Sequence, residues 1–222
     1  MEPNLGDIMR NNSTDDQLTP SETELLESLD TPVKIQAFLD TTVYNPEYRN
    51  RSVLNVLRDR LAHCFDGAIF AAAMLRRLGY PPQIIDLLPE PGTDDDHVLA
   101  IFRVDGYYGA VAKSNFATLR YREPVYRGLR QLVMSYFDVS FNQNRERTLR
   151  AYTRPLNLAA YDRFHWMTDD AGVDKIEARL SALKPIALFT PKQIARLTPV
   201  DERFYQSGML GVNPAGLYKL EK

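Results

Sequence analysis

Residues 63–80 read HCFDGAIFAAAMLRRLGY and contain the chain's only cysteine, Cys64. Phe65, Ala68, Ile69, Ala72 and Leu75 recur at helical spacing. Ala71, Ala73, Met74 and Leu78 make the same segment apolar on most sides, so it reads as a central buried helix. Arg76 and Arg77 suit the negative end of the helix dipole, Gly79 is a natural stop, and Pro81-Pro82 forbids continuation. Cys64 therefore stands at the mouth of a core helix.

Downstream the period changes from helical to alternating. Residues 83–88, QIIDLL, read as a strand. A loop from Pro89 to Asp96 ends in three consecutive aspartates, and His97–Phe102 reads as a second strand. Asp105-Gly106 is a strong two-residue hairpin signal, with Tyr107–Val111 returning. Upstream, Ser21 and Glu24 form a capping-box pattern ahead of Leu25, Thr31-Pro32 opens a second helix, and Ser52 caps a third. Further on, helices are expected over Tyr121–Phe137 and Val173–Leu183, a strand over Ile186–Phe189, and loops around Gly208, Gly211 and Gly216. Residues 1–20 are polar and read as a flexible arm, with one domain over 21–222. The fold class expected is α+β: a central helix packed on an antiparallel sheet, with additional helices around it.

Composition narrows the function classes. With 222 residues, 44% hydrophobic and 25% charged, the chain has the profile of an ordinary globular domain. A net charge of −2 gives no basic footprint for nucleic acid or anionic lipid, and a single cysteine rules out an intrachain disulfide framework. No long apolar run suggests a membrane span, and the first residues lack the pattern of a secretory signal, so a cytoplasmic location is expected. No cofactor or metal is called for, since three aspartates in a Pro/Gly loop read first as solvated surface. Oligomeric state is not legible.

A cysteine at a helix start feels the positive end of the dipole and free backbone N–H groups, both of which favour thiolate. A histidine on a neighbouring strand can pair with it or act as its base. Of the three histidines, His63 is adjacent in sequence and points about 100° away on a helix. His165 lies beside Trp166 in a region without a clear element, and Trp166 itself reads as a packing anchor. His97 opens a strand after a flexible loop and is the candidate base.

In combination, HCFDGAIFAAAMLRRLGYPPQIIDLL and DDDHVLAIFRVDGYYGAV resemble the core of the transglutaminase-like superfamily, which has a papain-like fold. The resemblance covers residues 55–116. It implies Cys64 as nucleophile, His97 as general base, and action on a peptide, isopeptide or side-chain amide through a thioester. The family's aspartate on the return strand is absent from YYGAVAKSNF. A two-residue turn at Asp105-Gly106 sets Ser114 opposite His97, making Ser114 the expected third residue, with Asn115 the alternative if a bulge shifts the register. Two functions follow: a cysteine-dependent amide hydrolase or acyltransferase with a peptide or protein substrate, or a catalytically weakened relative that binds a peptide or protein. Tyrosines and arginines 120–130 read as helix-surface salt bridges.

Overall fold

The computed structural model describes residues 17–219. The flexible arm expected over residues 1–20 therefore falls mostly outside the described residues. Within them, Leu18 already packs against the core and the Gln17 carbonyl accepts from Arg58 at 2.8 Å.

Among the described residues, three helices precede the central one. Helix α1 spans Pro20–Ser28 and α2 spans Pro32–Thr41. The first is capped by Thr19, not by Ser21. Pro20 occupies the first helical position, where a missing N–H costs nothing, and Thr19 and Glu22 exchange the capping-box bonds. Strand β1 (Val43–Tyr44) pairs in parallel with β2 (Leu61–Ala62), flanking α3 (Val53–Asp59), which Ser52 caps. Helix α4, Cys64–Arg77, is buried along nearly all its length, as its all-round apolar composition requires.

The main sheet is antiparallel. Strands β3 (Gln83–Pro89), β4 (His97–Val104) and β5 (Tyr107–Val111) form its centre. Asp105 (φ 50°) and Gly106 (φ 86°) supply the two left-handed residues of the turn between β4 and β5. Strand β6 (Arg122–Tyr126) adds to β5, and α5 (Leu129–Met134) follows it. On the other side β7 (Leu149–Tyr152) and β8 (Leu156–Asn157) share the edge of β3. After α6 (Asp170–Ser181), strand β9 (Ile186–Ala187) closes the order β6-β5-β4-β3-β7-β9. Two short helices, α7 (Pro191–Ile194) and α8 (Glu202–Gly208), and a 3-10 turn over Pro214–Gly216 follow, where loops were expected from Gly208 on. Mixed helix and antiparallel sheet makes the fold α+β. Among the described residues no helix is long and apolar enough to cross a membrane.

The expected helix over Tyr121–Phe137 is corrected. Gly128 caps the real helix, and the residues before it are taken up as a sheet strand. Arg122 is held there by hydrogen bonds from its guanidinium to Ser135 Oγ at 3.1 Å and the Ser135 carbonyl at 3.2 Å, over the ring of Tyr136 at 4.0 Å.

Two cores flank the sheet. Ile84, Val98, Ala100, Phe102 and Val111 face α4 and its helical neighbours. Ile85, Leu87, Leu99, Ile101 and Ala110 face the opposite way, onto Leu132, Val133 and Tyr136. The alternation is the ordinary period of a strand, and it decides where each candidate site residue points.

The β4–β5 ladder stops at Ala100↔Val111. Beyond it the side-chain amide of Gln36 on α2 takes both backbone groups of Ala112, accepting from its N–H at 3.1 Å and donating to its carbonyl at 2.9 Å. Lys113 then turns inward, and its ammonium donates to the Leu39 and Thr42 carbonyls at the end of α2. The ladder thus never reaches Ser114.

Candidate functional site

Strand β2 delivers the chain to α4 through His63, the N-cap residue. Asp66 accepts from the backbone N–H of Arg51 at 2.7 Å and of His63 at 3.4 Å, which fixes the helix entry. Burial raises the Asp66 carboxyl to about 7 despite these bonds. The His63 ring lies 3.4 Å from Asp66 and bonds the Arg49 carbonyl, and burial lowers its pKa to about 4.

Cys64 occupies the first turn of α4, with its thiol donating to the Asp96 carbonyl at 3.8 Å. The N–H of Val98 also reaches the sulfur. Burial, followed by the negative charges of Asp96 and Asp95, pushes the thiol well above its ordinary pKa, and the Val98 bond opposes this only in part. The helix dipole favours thiolate, but here desolvation and the carboxylates of Asp96 and Asp95 outweigh it.

His97 is not brought to Cys64. It pairs with Leu87 across the ladder and so shares the face of Leu87, Leu99 and Ile101, opposite to α4. Its ring meets Tyr136 edge-on at 6.2 Å, and its Nε2–H donates to the Leu119 carbonyl at 2.9 Å. Burial holds its pKa down at about 4, and the Arg122 charge adds to this. The cause is strand parity. The side chains of Val98 and Ala100 pack toward α4, so His97, one residue before Val98, points through the sheet with Leu99 and Ile101.

Neither proposed third residue meets His97. Ser114 Oγ accepts from the Phe116 N–H at 3.0 Å in a local turn. Asn115 holds the C-terminal segment, donating to the Asn213 carbonyl at 2.9 Å and accepting from the Asn213 N–H at 2.8 Å. That segment lines a cleft of about 900 Å³ at Cys64, with Gly216 and Tyr218 close to Tyr44 and Tyr48, and with Asp95 among the other lining residues.

The residues that do face the sulfur are acidic. Asp86 lies on the α4 face of β3, opposite Val98, and is 2% exposed. Burial and the neighbouring Asp96 charge raise it far above the carboxylate range, so it keeps its proton and donates to Asp96. Burial and Asp95 in turn place Asp96 at about 6. Asp94 is tied down as well, accepting from Thr148 Oγ1 at 2.8 Å, and burial places it at about 6. Asp95 and Asp96 are exposed, as expected of a surface loop, and with the half-buried Asp94 they line the cleft. The signal for Asp86 was present in the sequence, as one carboxylate inside the apolar run IIDLL.

Among the described residues no group of three or more His, Cys, Asp and Glu is arranged to hold a metal ion. The other singled-out residues take structural roles. Trp166 is fully buried, with Nε1 donating to Asp162 at 3.0 Å, and Arg120 pairs with Asp40 at 2.8 Å. No family model matches the chain, and no curated protein shows significant similarity to it.

Proposed function

We propose that the chain is a binding protein on a transglutaminase-like, papain-like core, in which the cleft before Cys64 holds a peptide or protein segment without cysteine–histidine chemistry. The observation that carries this reading is the placement of Cys64 and His97 on opposite faces of the sheet. Thioester chemistry needs a thiolate and a base within hydrogen-bond reach. Here the sulfur is a neutral thiol facing carboxylates, and the imidazole is neutral and bonded to Leu119. The cleft itself is of the size that takes a small ligand or a few side chains.

Alkylation of Cys64 by iodoacetamide across pH tests the chemical half. Reactivity should rise only above the ordinary thiol range and be the same in His97→Gln. A half-maximal rate below pH 7 that depends on His97 overturns the reading. For the binding half, peptides selected on the protein from a displayed random library should lose affinity once Cys64 is blocked with N-ethylmaleimide. Selected peptides that ignore the block, or no selected peptides, count against the cleft.

A further inference from the structure

The charges around the cleft do not balance. Glu47 reaches Arg51 at 3.5 Å, Glu177 accepts from Asn50 at 2.8 Å, and Arg150 spends its charge on Glu90 at 2.9 Å. His63 is neutral near pH 7, and the exposed Lys219 at the rim is the one lysine that lines the cleft among the described residues. Asp95 and Asp96 have no ion-pair partner among the described residues, although both face a concave space. Behind them Asp86 adds a buried carboxyl whose Oδ1 has no hydrogen-bond partner. Asp86 is protonated and adds no charge of its own, so the acidity of the concavity is that of Asp95 and Asp96, the complement of a cation.

The rim specifies the kind of cation. Tyr48 is 93% exposed, a large aromatic ring left uncovered beside the aspartates. Asp95, Tyr218 and Asp96 all act on its hydroxyl, and Tyr44 feels Cys64 and Asp95, so rings and carboxylates share one space. Aromatic rings select weakly hydrated cations, whereas a small, strongly hydrated ion needs a cage of oxygens. No such cage exists among the described residues.

We propose that the cleft is a receptor for a weakly hydrated organic cation, a guanidinium or quaternary ammonium head group, seated between the carboxylates of Asp95 and Asp96 and the rings of Tyr44, Tyr48 and Tyr218. The proposal rests on reading the cleft as a binding site. Its affinity should fall with acid. The groups facing Asp96 are Asp86 from β3, Cys64 from α4, Glu177 from α6, and Asp95 and Tyr48 from the loops. Of these, Asp96 loses its charge near pH 6 and Asp95 above its usual range, while Asp86 and Cys64 are already neutral.

Two pairs of probes test the proposal by NMR titration of the full chain. N-acetyl-arginine amide is set against its neutral isostere N-acetyl-citrulline amide, and choline against 3,3-dimethylbutanol. At pH 8 one or both cations should bind saturably with millimolar affinity, at least tenfold above the neutral partner, and weaken at least tenfold at pH 5. Which cation binds identifies the source of the head group. Asp95→Asn/Asp96→Asn should abolish the preference, and Tyr48→Ala, at an exposed position that leaves the fold intact, should weaken binding threefold or more. Failure of both cations at 20 mM, or unchanged affinity in Tyr48→Ala, overturns the proposal. Equal binding of the neutral isosteres also overturns it but leaves the cleft standing as a binding site, which the alkylation and display experiments test separately.

Discussion

Asp86 donates its carboxyl proton to Asp96 at the floor of the cleft, and the pair lies against the sulfur of Cys64. Two carboxyl groups this close cannot both ionise, so the buried one stays neutral and the outer one carries the charge. The thiol feels that charge directly. Replacing Asp96 by asparagine removes it, and the midpoint of Cys64 alkylation should fall by about half to one unit. Rates of iodoacetamide modification from pH 6 to 11 measure it. A rising midpoint means that the carboxylate does not act on the sulfur.

His97 sets an acid limit to stability. Its folded pKa of about 4 lies below the ordinary imidazole value of 6.5. The unfolded chain therefore binds more protons between these values, and the contribution is fully present above 6.5 and lost as pH falls toward 4. The linkage amounts to roughly 3 kcal/mol at full depression. Urea unfolding of the parent and of His97→Gln should show the stability difference between them shrinking by up to that amount from pH 7 to 4. A pH-independent difference would mean that the imidazole titrates normally.

Asn115 and Asn213 clamp the C-terminal wall of the cleft with two hydrogen bonds. Asn115→Ala should cost about 1–2 kcal/mol by thermal or urea unfolding. It should also speed Cys64 modification at fixed pH, because the wall over the sulfur loosens. Unchanged reactivity would show that the wall is held by other contacts, such as Gly216 against Tyr44.

Gly67 lies where α4 touches the end of β5. A Cβ there would come within 2.2 Å of Lys113 Cβ. Alanine is the better helix former by about 1 kcal/mol, yet the clash dominates, and Gly67→Ala should destabilise the fold by about 2 kcal/mol net. A raised melting temperature would show that the strand end can retreat.

Ser114→Asp should leave the alkylation profile of Cys64 as it is, because Ser114 is engaged with Phe116 and not with His97. A profile displaced to lower pH would reinstate the hairpin register that the ladder abandons at Val111.

What the sequence makes legible here is local. The α4 helix, its glycine stop and the Asp105-Gly106 turn each depend on a few neighbouring residues, and each is found where expected. The side of the sheet on which His97 falls does not. It depends on the pairing of Leu87 with His97, a long-range register in which one step exchanges the faces. Strand β7 was missed because four residues carry too little alternation to read, and its pairing with β3 arises in tertiary structure. The Tyr121–Phe137 segment has helical periodicity in part, but the open edge of β5 claims its first half. Asp86 and Asp96 come together only because β3 and β4 pair, which the linear chain does not display.

Gln36 imitates a peptide unit. Its side chain offers one carbonyl and one amide N–H, and it spends them on the two backbone groups of Ala112 as a neighbouring strand would. A strand would present a fresh edge on its far side, but a side chain does not. The β4–β5 ladder is therefore ended inside the sheet by a piece that cannot propagate it, and the chain leaves the strand at Lys113 to bury its ammonium against α2.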